Sequence, residues 1–211
     1  MTFDLSNRHL YGILDLGYVT PENAAPTALA MLEGGVQLLQ LRAKGTTKSD
    51  IPAIARPLSA LCREHAVPFI LNDHPDLVSQ VGADGAHVGQ DDMSVAEARA
   101  LAGPGKIIGL STHSLAQARA AVPQSPDYIG FGPLFATPTK PDYTPIGTSD
   151  IQAVHESVPL PIFCIGGIKR ENLRFVLNTG ARRVVIVSGI LKAPDIRAYC
   201  HECLELIEQA N

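Results

Sequence analysis

The sequence has no apolar run near the roughly 20 residues that cross a bilayer, and it has no excess of basic residues. Lysine and arginine number 17 against 21 acidic residues, a formal charge of −4, which argues against a general nucleic-acid binder. The start, Met1-Thr2-Phe3-Asp4, lacks the basic-then-apolar layout of a secretory signal. A cytoplasmic protein with neither membrane nor nucleic acid as partner is expected. Glycine (18) and proline (16) are scattered, not clustered, so neither a fibrous nor a low-complexity chain fits. Cysteine is sparse. Cys62 and Cys164 sit in apolar surroundings that suit small buried thiols. Cys200 and Cys203 form a C-x-x-C late in an amphipathic helical pattern, where redox motifs seldom fall, and read as ordinary thiols; metal or redox chemistry is the alternative. No Ser-His-Asp or Cys-His arrangement calls for a side-chain nucleophile.

What is present is ordinary globular material: 211 residues, 45% hydrophobic and 18% charged, enough for one sizeable core and a single domain over residues 1–211. Short continuous apolar runs recur at Leu10–Leu14, Val36–Leu41, Pro68–Leu71, Gly85–Val88, Lys106–Leu110, Tyr128–Phe131, Pro161–Ile165 and Val184–Val187. Strands of a parallel sheet covered on both faces read this way. Helical patterns lie between them, over residues 23–33, 49–65, 75–81, 94–101, 114–121, 151–157, 170–178 and 195–209. Ser94 with Glu97, and Ser114 with Gln117, have the spacing of capping boxes. Eight strand–helix units at about 26 residues each predict a compact (β/α)8 TIM barrel, an α/β fold. An open doubly wound sheet would want a glycine-rich first turn, and Asp15-Leu16-Gly17-Tyr18 has no G-x-G-x-x-G.

A barrel of this kind collects its chemistry at the C-terminal ends of its strands. The exits carry Gln40-Leu41-Arg42-Ala43-Lys44, Asn72-Asp73-His74, Gln90-Asp91-Asp92, Ser111-Thr112-His113-Ser114, Thr137-Pro138-Thr139-Lys140, Gly166-Gly167 and Ser188-Gly189. Arg42, Lys44 and Lys140 suit a multiply charged phosphate group. Asp73 with Asp91 or Asp92 would repel a bare diphosphate unless a cation lay between, and Mg2+ bound by carboxylates plus phosphate oxygens meets that need. Gly166-Gly167 and Ser188-Gly189 follow the last two strands, where barrels often bind a phosphate through backbone N–H groups. Plainer readings exist for each. Arg42 and Lys44 could be a solvated loop, Asn72-Asp73 could cap the helix at Pro75, one of Asp91 and Asp92 could cap the next helix, and His113 could satisfy backbone. His87, alternating with apolar neighbours, reads as a core or supporting residue. Their joint confinement to strand exits favours a site.

These stretches, with Gly85-Ala86-His87-Val88-Gly89, Gly130-Phe131-Gly132-Pro133 and Ile165-Gly166-Gly167-Ile168, resemble the thiamine-phosphate synthase family, in order and over nearly the whole chain. The resemblance implies a (β/α)8 transferase of thiamine biosynthesis. It would join 4-amino-2-methyl-5-(diphosphooxymethyl)pyrimidine to thiazole phosphate with Mg2+, releasing diphosphate by a dissociative mechanism. It implies that Gln40, Arg42, Lys44, Asn72, Ser111 and Lys140 hold the pyrimidine diphosphate and that Asp73 and Asp92 bind magnesium. Thr137, Thr139, Gly167, Val187 and Ser188 would bind the thiazole phosphate. Arg42, Lys44, Lys140 and Ser111 would carry the catalysis. The alternatives are a thiazole tautomerase of the same superfamily, in which His113 would move a proton, and a non-catalytic phosphate-ligand sensor. No role is carried over to Asp15-Leu16-Gly17-Tyr18, and the Pro-rich 141–147 segment is expected to cover the pocket. The sequence leaves open whether the chain forms a homo-oligomer.

Overall fold

The computed structural model describes residues 3–137 and 144–210. Eight parallel strands close into a barrel in chain order: β1 Leu10–Asp15, β2 Leu38–Arg42, β3 Phe69–Asn72, β4 Gly85–Val88, β5 Ile107–Thr112, β6 Tyr128–Phe131, β7 Ile162–Cys164 and β8 Val184–Ile186. The closing pair sets Leu10 against Val184 and Gly12 against Ile186. The helices are α1 Pro21–Glu33, α2 Ile51–Glu64, α3 Val78–Val81, α4 Val95–Ala102, α5 Leu115–Ala121, α6 Ile151–Ser157, α7 Arg170–Asn178, α8 Ser188–Leu191 and α9 Ile196–Glu208. Single 3-10 turns at Pro75–Leu77 and Val122–Gln124 adjoin α3 and α5. The expected (β/α)8 order is therefore observed. Among the described residues one helix was not expected, α8, a single turn whose four residues offer no period to read.

The strands are apolar throughout because each has two buried faces. Outward side chains such as Leu39, Leu41, Val88, Ile129 and Ile186 pack against the helices in one core. Inward ones form a second core inside the barrel: Leu38, Ile70, Ile107, Tyr128, Phe163 and Val185, with Tyr11 and Ile13, closed by Leu5 below. The rings of Tyr11, Tyr128 and Phe163 meet edge to face at centroid distances of 5.3–5.9 Å, a geometry that aromatic quadrupoles favour. Toward the strand C-termini the inward positions turn polar, at Gln40, Arg42, Asn72, His87 and Ser111. That floor positions the site.

Helix starts follow local chemistry. The Ser94–Glu97 capping box forms in both directions. The second expected box does not: Ser114 Oγ accepts from the Gln117 N–H, but Gln117 Oε1 accepts from His113 N–H, one residue too early for a box. Cys200 and Cys203 lie one turn apart on the buried side of α9. Burial raises both thiols, Cys203 to about 12, so neither supplies a thiolate. No helix among the described residues is long and apolar enough to cross a membrane.

Candidate functional site

The main cavity opens at the C-terminal mouth of the barrel. Gln40, Arg42, Asn72, Ser111, Thr137, Gly167, Val187 and Ser188 all line it. A smaller cavity adjoins it, sharing Asn72 and Ser111 and adding Lys44, Asp73, Asp91 and Asp92. Every expected site residue within the described residues thus reaches one of two neighbouring cavities. Thr139 and Lys140 lie outside the described residues, as does the 141–143 part of the expected cover. The rest of that segment is tied back to the β6 exit, Ile146 N–H donating to the Pro133 carbonyl at 2.8 Å.

Arg42 is the best-held cation. Its Nη1 donates to Asp15 Oδ2 at 2.6 Å, with the two side chains 14% and 2% exposed. Asp15 Oδ1 accepts from Gly17 N–H at 2.8 Å, so both carboxylate oxygens are engaged. Arg42 Nε is buried with no partner among the described residues. Such a donor costs free energy unless something accepts from it. No role was expected of Asp15. The signal that could have found it was register: β1 and β2 end together, placing Asp15 directly beside Arg42.

Lys44 and Asp73 form a looser pair, 3.7 Å apart with the lysine 59% exposed, worth little by itself. Asp73 adopts φ +63°, the left-handed region that few non-glycine residues occupy, held there by its N–H donating to the His87 carbonyl at 2.9 Å. The N-cap of the turn at Pro75 is His74, whose side chain makes no capping bond. Ser94 caps α4, and Asp92 Oδ2 instead accepts from Gly89 N–H at 2.7 Å. A Cβ on Gly89 would come within 2.7 Å of that carboxylate oxygen, so glycine is what lets Asp92 fold back over the β4 exit.

Magnesium, which the resemblance implies, prefers hard oxygen donors and commonly takes one or two carboxylates with substrate phosphate oxygens. Asp73 and Asp92 on one small cavity fit that need. No group of three or more His, Cys, Asp or Glu side chains among the described residues could hold a metal. Asp91 lines the same cavity.

The floor of the main cavity is a run of hydrogen bonds. Gln40 Nε2 donates to Tyr11 Oη at 2.5 Å, Tyr11 Oη meets Tyr128 Oη at 2.9 Å, and Tyr128 Oη meets His87 Nδ1 at 3.0 Å. His87 Nε2 then meets Ser111 Oγ at 2.9 Å. Burial holds both phenols above their ordinary range. His87 is thus the supporting residue its strand position suggested, whereas Tyr11 and Tyr128 passed as apolar strand members. Only their inward direction distinguishes them.

At the far side, Gly166 and Gly167 take φ +103° and +66°. A Cβ on Gly166 would stand 2.4 Å from Pro133 Cα, so tight packing against the β6 exit requires glycine before any ligand is considered. His113 Nδ1 lies 2.6 Å from the Gly132 carbonyl, which is the backbone role weighed for it, although the ring also borders both cavities.

A family model described as thiamine monophosphate synthase matches residues 10–190. The chain is 43% identical over 181 residues to a thiamine-phosphate synthase from Shouchella clausii, covering 85% of this chain and 87% of that protein. It is 39% identical over 199 residues to one from Chloroflexus aurantiacus, covering 94% and 92%. A solved thiamine phosphate pyrophosphorylase from Pyrococcus furiosus superposes with a TM-score of 0.89 at 33% identity, covering 98% and 99%.

Proposed function

The chain belongs to the thiamine monophosphate synthase family, and from that premise we propose that it condenses an aminopyrimidine methyl diphosphate with thiazole phosphate. The product is thiamine phosphate and the leaving group is diphosphate, in the cytoplasm. The observation that carries this reading is the meeting of two differently built anion regions in adjoining cavities. Cations and carboxylates from β2 to β4 face one side, and Gly166-Gly167 after β7 with Val187 and Ser188 after β8 face the other.

The pyrimidine lies on the Gln40–Ser111 floor with its diphosphate toward Arg42, Lys44 and Asn72, joined by Lys140. Asp73 and Asp92 would hold magnesium, which when bound supplies further charge neutralisation to the diphosphate. The bond from the pyrimidine methylene carbon to the diphosphate oxygen breaks first, and its electron pair leaves with the diphosphate. Arg42 and Lys44 stabilise the charge that develops there, a fixed electrostatic contribution typical of such sites. The thiazole phosphate is anchored by Thr137, Thr139, Gly167, Val187 and Ser188, so that its ring nitrogen donates the pair that forms the new C–N bond. No side chain of this protein needs to attack.

The test is diphosphate release on mixing protein and both substrates, with Mg2+ and again with chelator. Metal-dependent release with thiamine phosphate is expected, and His113→Ala should retain most of the rate. Absence of product while thiazole phosphate still binds would overturn the reading in favour of a sensor. Proton exchange on a thiazole carboxylate phosphate, abolished by His113→Ala, would favour a tautomerase.

A further inference from the structure

We infer that Tyr11, Tyr128 and His87 are positioning residues that form a one-way relay of hydrogen bonds, fixing Gln40 as acceptor and Ser111 as donor toward the pyrimidine and so selecting a 4-amino over a 4-oxo ring. The inference rests on the synthase reading for its substrate, but the direction of the relay does not depend on that reading.

The direction is set at Gln40. Its Nε2 carries protons only, so Tyr11 Oη must accept at 2.5 Å. Both phenols keep their protons because burial raises them. The Tyr11 proton therefore needs an acceptor, and Tyr128 Oη at 2.9 Å provides it; the opposite sense would strand a buried O–H at a cost of about 1–3 kcal/mol. Tyr128 in turn donates to His87 Nδ1 at 3.0 Å. A ring that accepts at Nδ1 carries its proton on Nε2, and that proton goes to Ser111 Oγ at 2.9 Å. Ser111 has then accepted, and its own O–H is left to donate into the cavities it lines. At the other end Gln40, 2% exposed, presents Oε1 as acceptor.

The barrel makes room for this relay. A Cβ on Gly109 would lie 2.2 Å from Tyr128 Cζ and 2.5 Å from His87 Nδ1, on top of the hydrogen bond between them. Glycine at that inward position of β5 is what admits the contact.

A 4-aminopyrimidine offers an N–H donor on its amino group and acceptors at its ring nitrogens, the complement of Gln40 Oε1 and the Ser111 hydroxyl. A 4-oxo ring inverts the pattern, with a carbonyl acceptor beside a protonated ring nitrogen. A site that cannot reverse its own polarity leaves both pairs unmatched, and buried mismatches of this kind discriminate strongly.

Two readouts test the inference. The first is the imidazole 15N spectrum of His87 in the unmodified protein without substrate: protonation at Nε2 is expected, and protonation at Nδ1 overturns the relay. The second is the ratio of kcat/KM for the 4-amino diphosphate over its 4-oxo analogue in the parent and in Tyr128→Phe, with Tyr11→Phe as the second variant. Tyr128→Phe keeps the ring packing and frees His87 Nδ1 from its obligatory donor, so the ratio should fall tenfold or more. A merely structural role would lower both substrates together, and an unchanged ratio overturns the inference. Failure of the parent to make thiamine phosphate would refute the synthase reading, while the His87 spectrum would still decide the relay.

Discussion

Asp15→Asn removes a charge and little else: the side chain keeps its size, and Oδ1 can still accept from Gly17 N–H. What changes is the partner of Arg42, whose side chain is 14% exposed and whose buried Nε has no partner among the described residues. Stripping one member from a buried ion pair typically costs 3–5 kcal/mol, and the slight exposure of Arg42 places this pair near the lower end, about 3 kcal/mol. For a chain of this length each kcal/mol moves Tm by about 2–4 °C, so a loss of about 6–12 °C is expected in calorimetry. The functional cost is separate. An arginine no longer tethered at 2.6 Å must be ordered when diphosphate binds, and losing a charge-assisted bond of about 1.5–3 kcal/mol corresponds to roughly a 10–100-fold fall in kcat/KM. Arg42→Met should also be unstable, because it leaves a carboxylate 2% exposed without its cation. The double variant Asp15→Asn/Arg42→Met should therefore recover part of the combined loss, a coupling of order 1–3 kcal/mol. Strict additivity of the two losses, or an Asp15→Asn protein with parental Tm and kcat/KM, would refute the idea that Asp15 holds Arg42 in place.

Two further outcomes follow from the geometry. Gly166→Ala combines a φ of +103° with a Cβ 2.4 Å from Pro133 Cα, so it should lower Tm and weaken thiazole phosphate binding in titration calorimetry; parental values in both would show that the turn shifts freely. His155 is half-buried, and burial with Arg182 and Arg183 nearby lowers its pKa from 6.5 to about 4. The unfolded chain therefore takes up this proton first, and stability falls as pH drops from about 6.5 toward 4. His155→Gln should flatten the decline of Tm over that window, and an identical slope would remove His155 from the acid response.

The eight apolar runs and the helical patterns between them determine the barrel from sequence, because a strand buried on both faces and a helix buried on one leave different periods. Strands β4 and β6 and helices α6 and α7 stand at their expected bounds. Confinement of Arg42, Lys44, Asn72, Asp73, Asp92 and Ser111 to strand exits likewise marked the site, since every exit in this fold opens on one face. What sequence leaves undecided is how residues from different strands meet. Asp15 reads as the first residue of the turn after β1 until register sets it beside Arg42. Tyr11 and Tyr128 are separated by 117 residues, yet barrel closure brings their hydroxyls to 2.9 Å. Gly109 is one more member of an apolar run in sequence, and only the folded barrel shows that the space it vacates holds the contact between Tyr128 and His87. Periodicity is a local property of the chain and survives in one dimension. A hydrogen bond across the barrel depends on strand order, register and inward direction together, and those exist only once the barrel has closed.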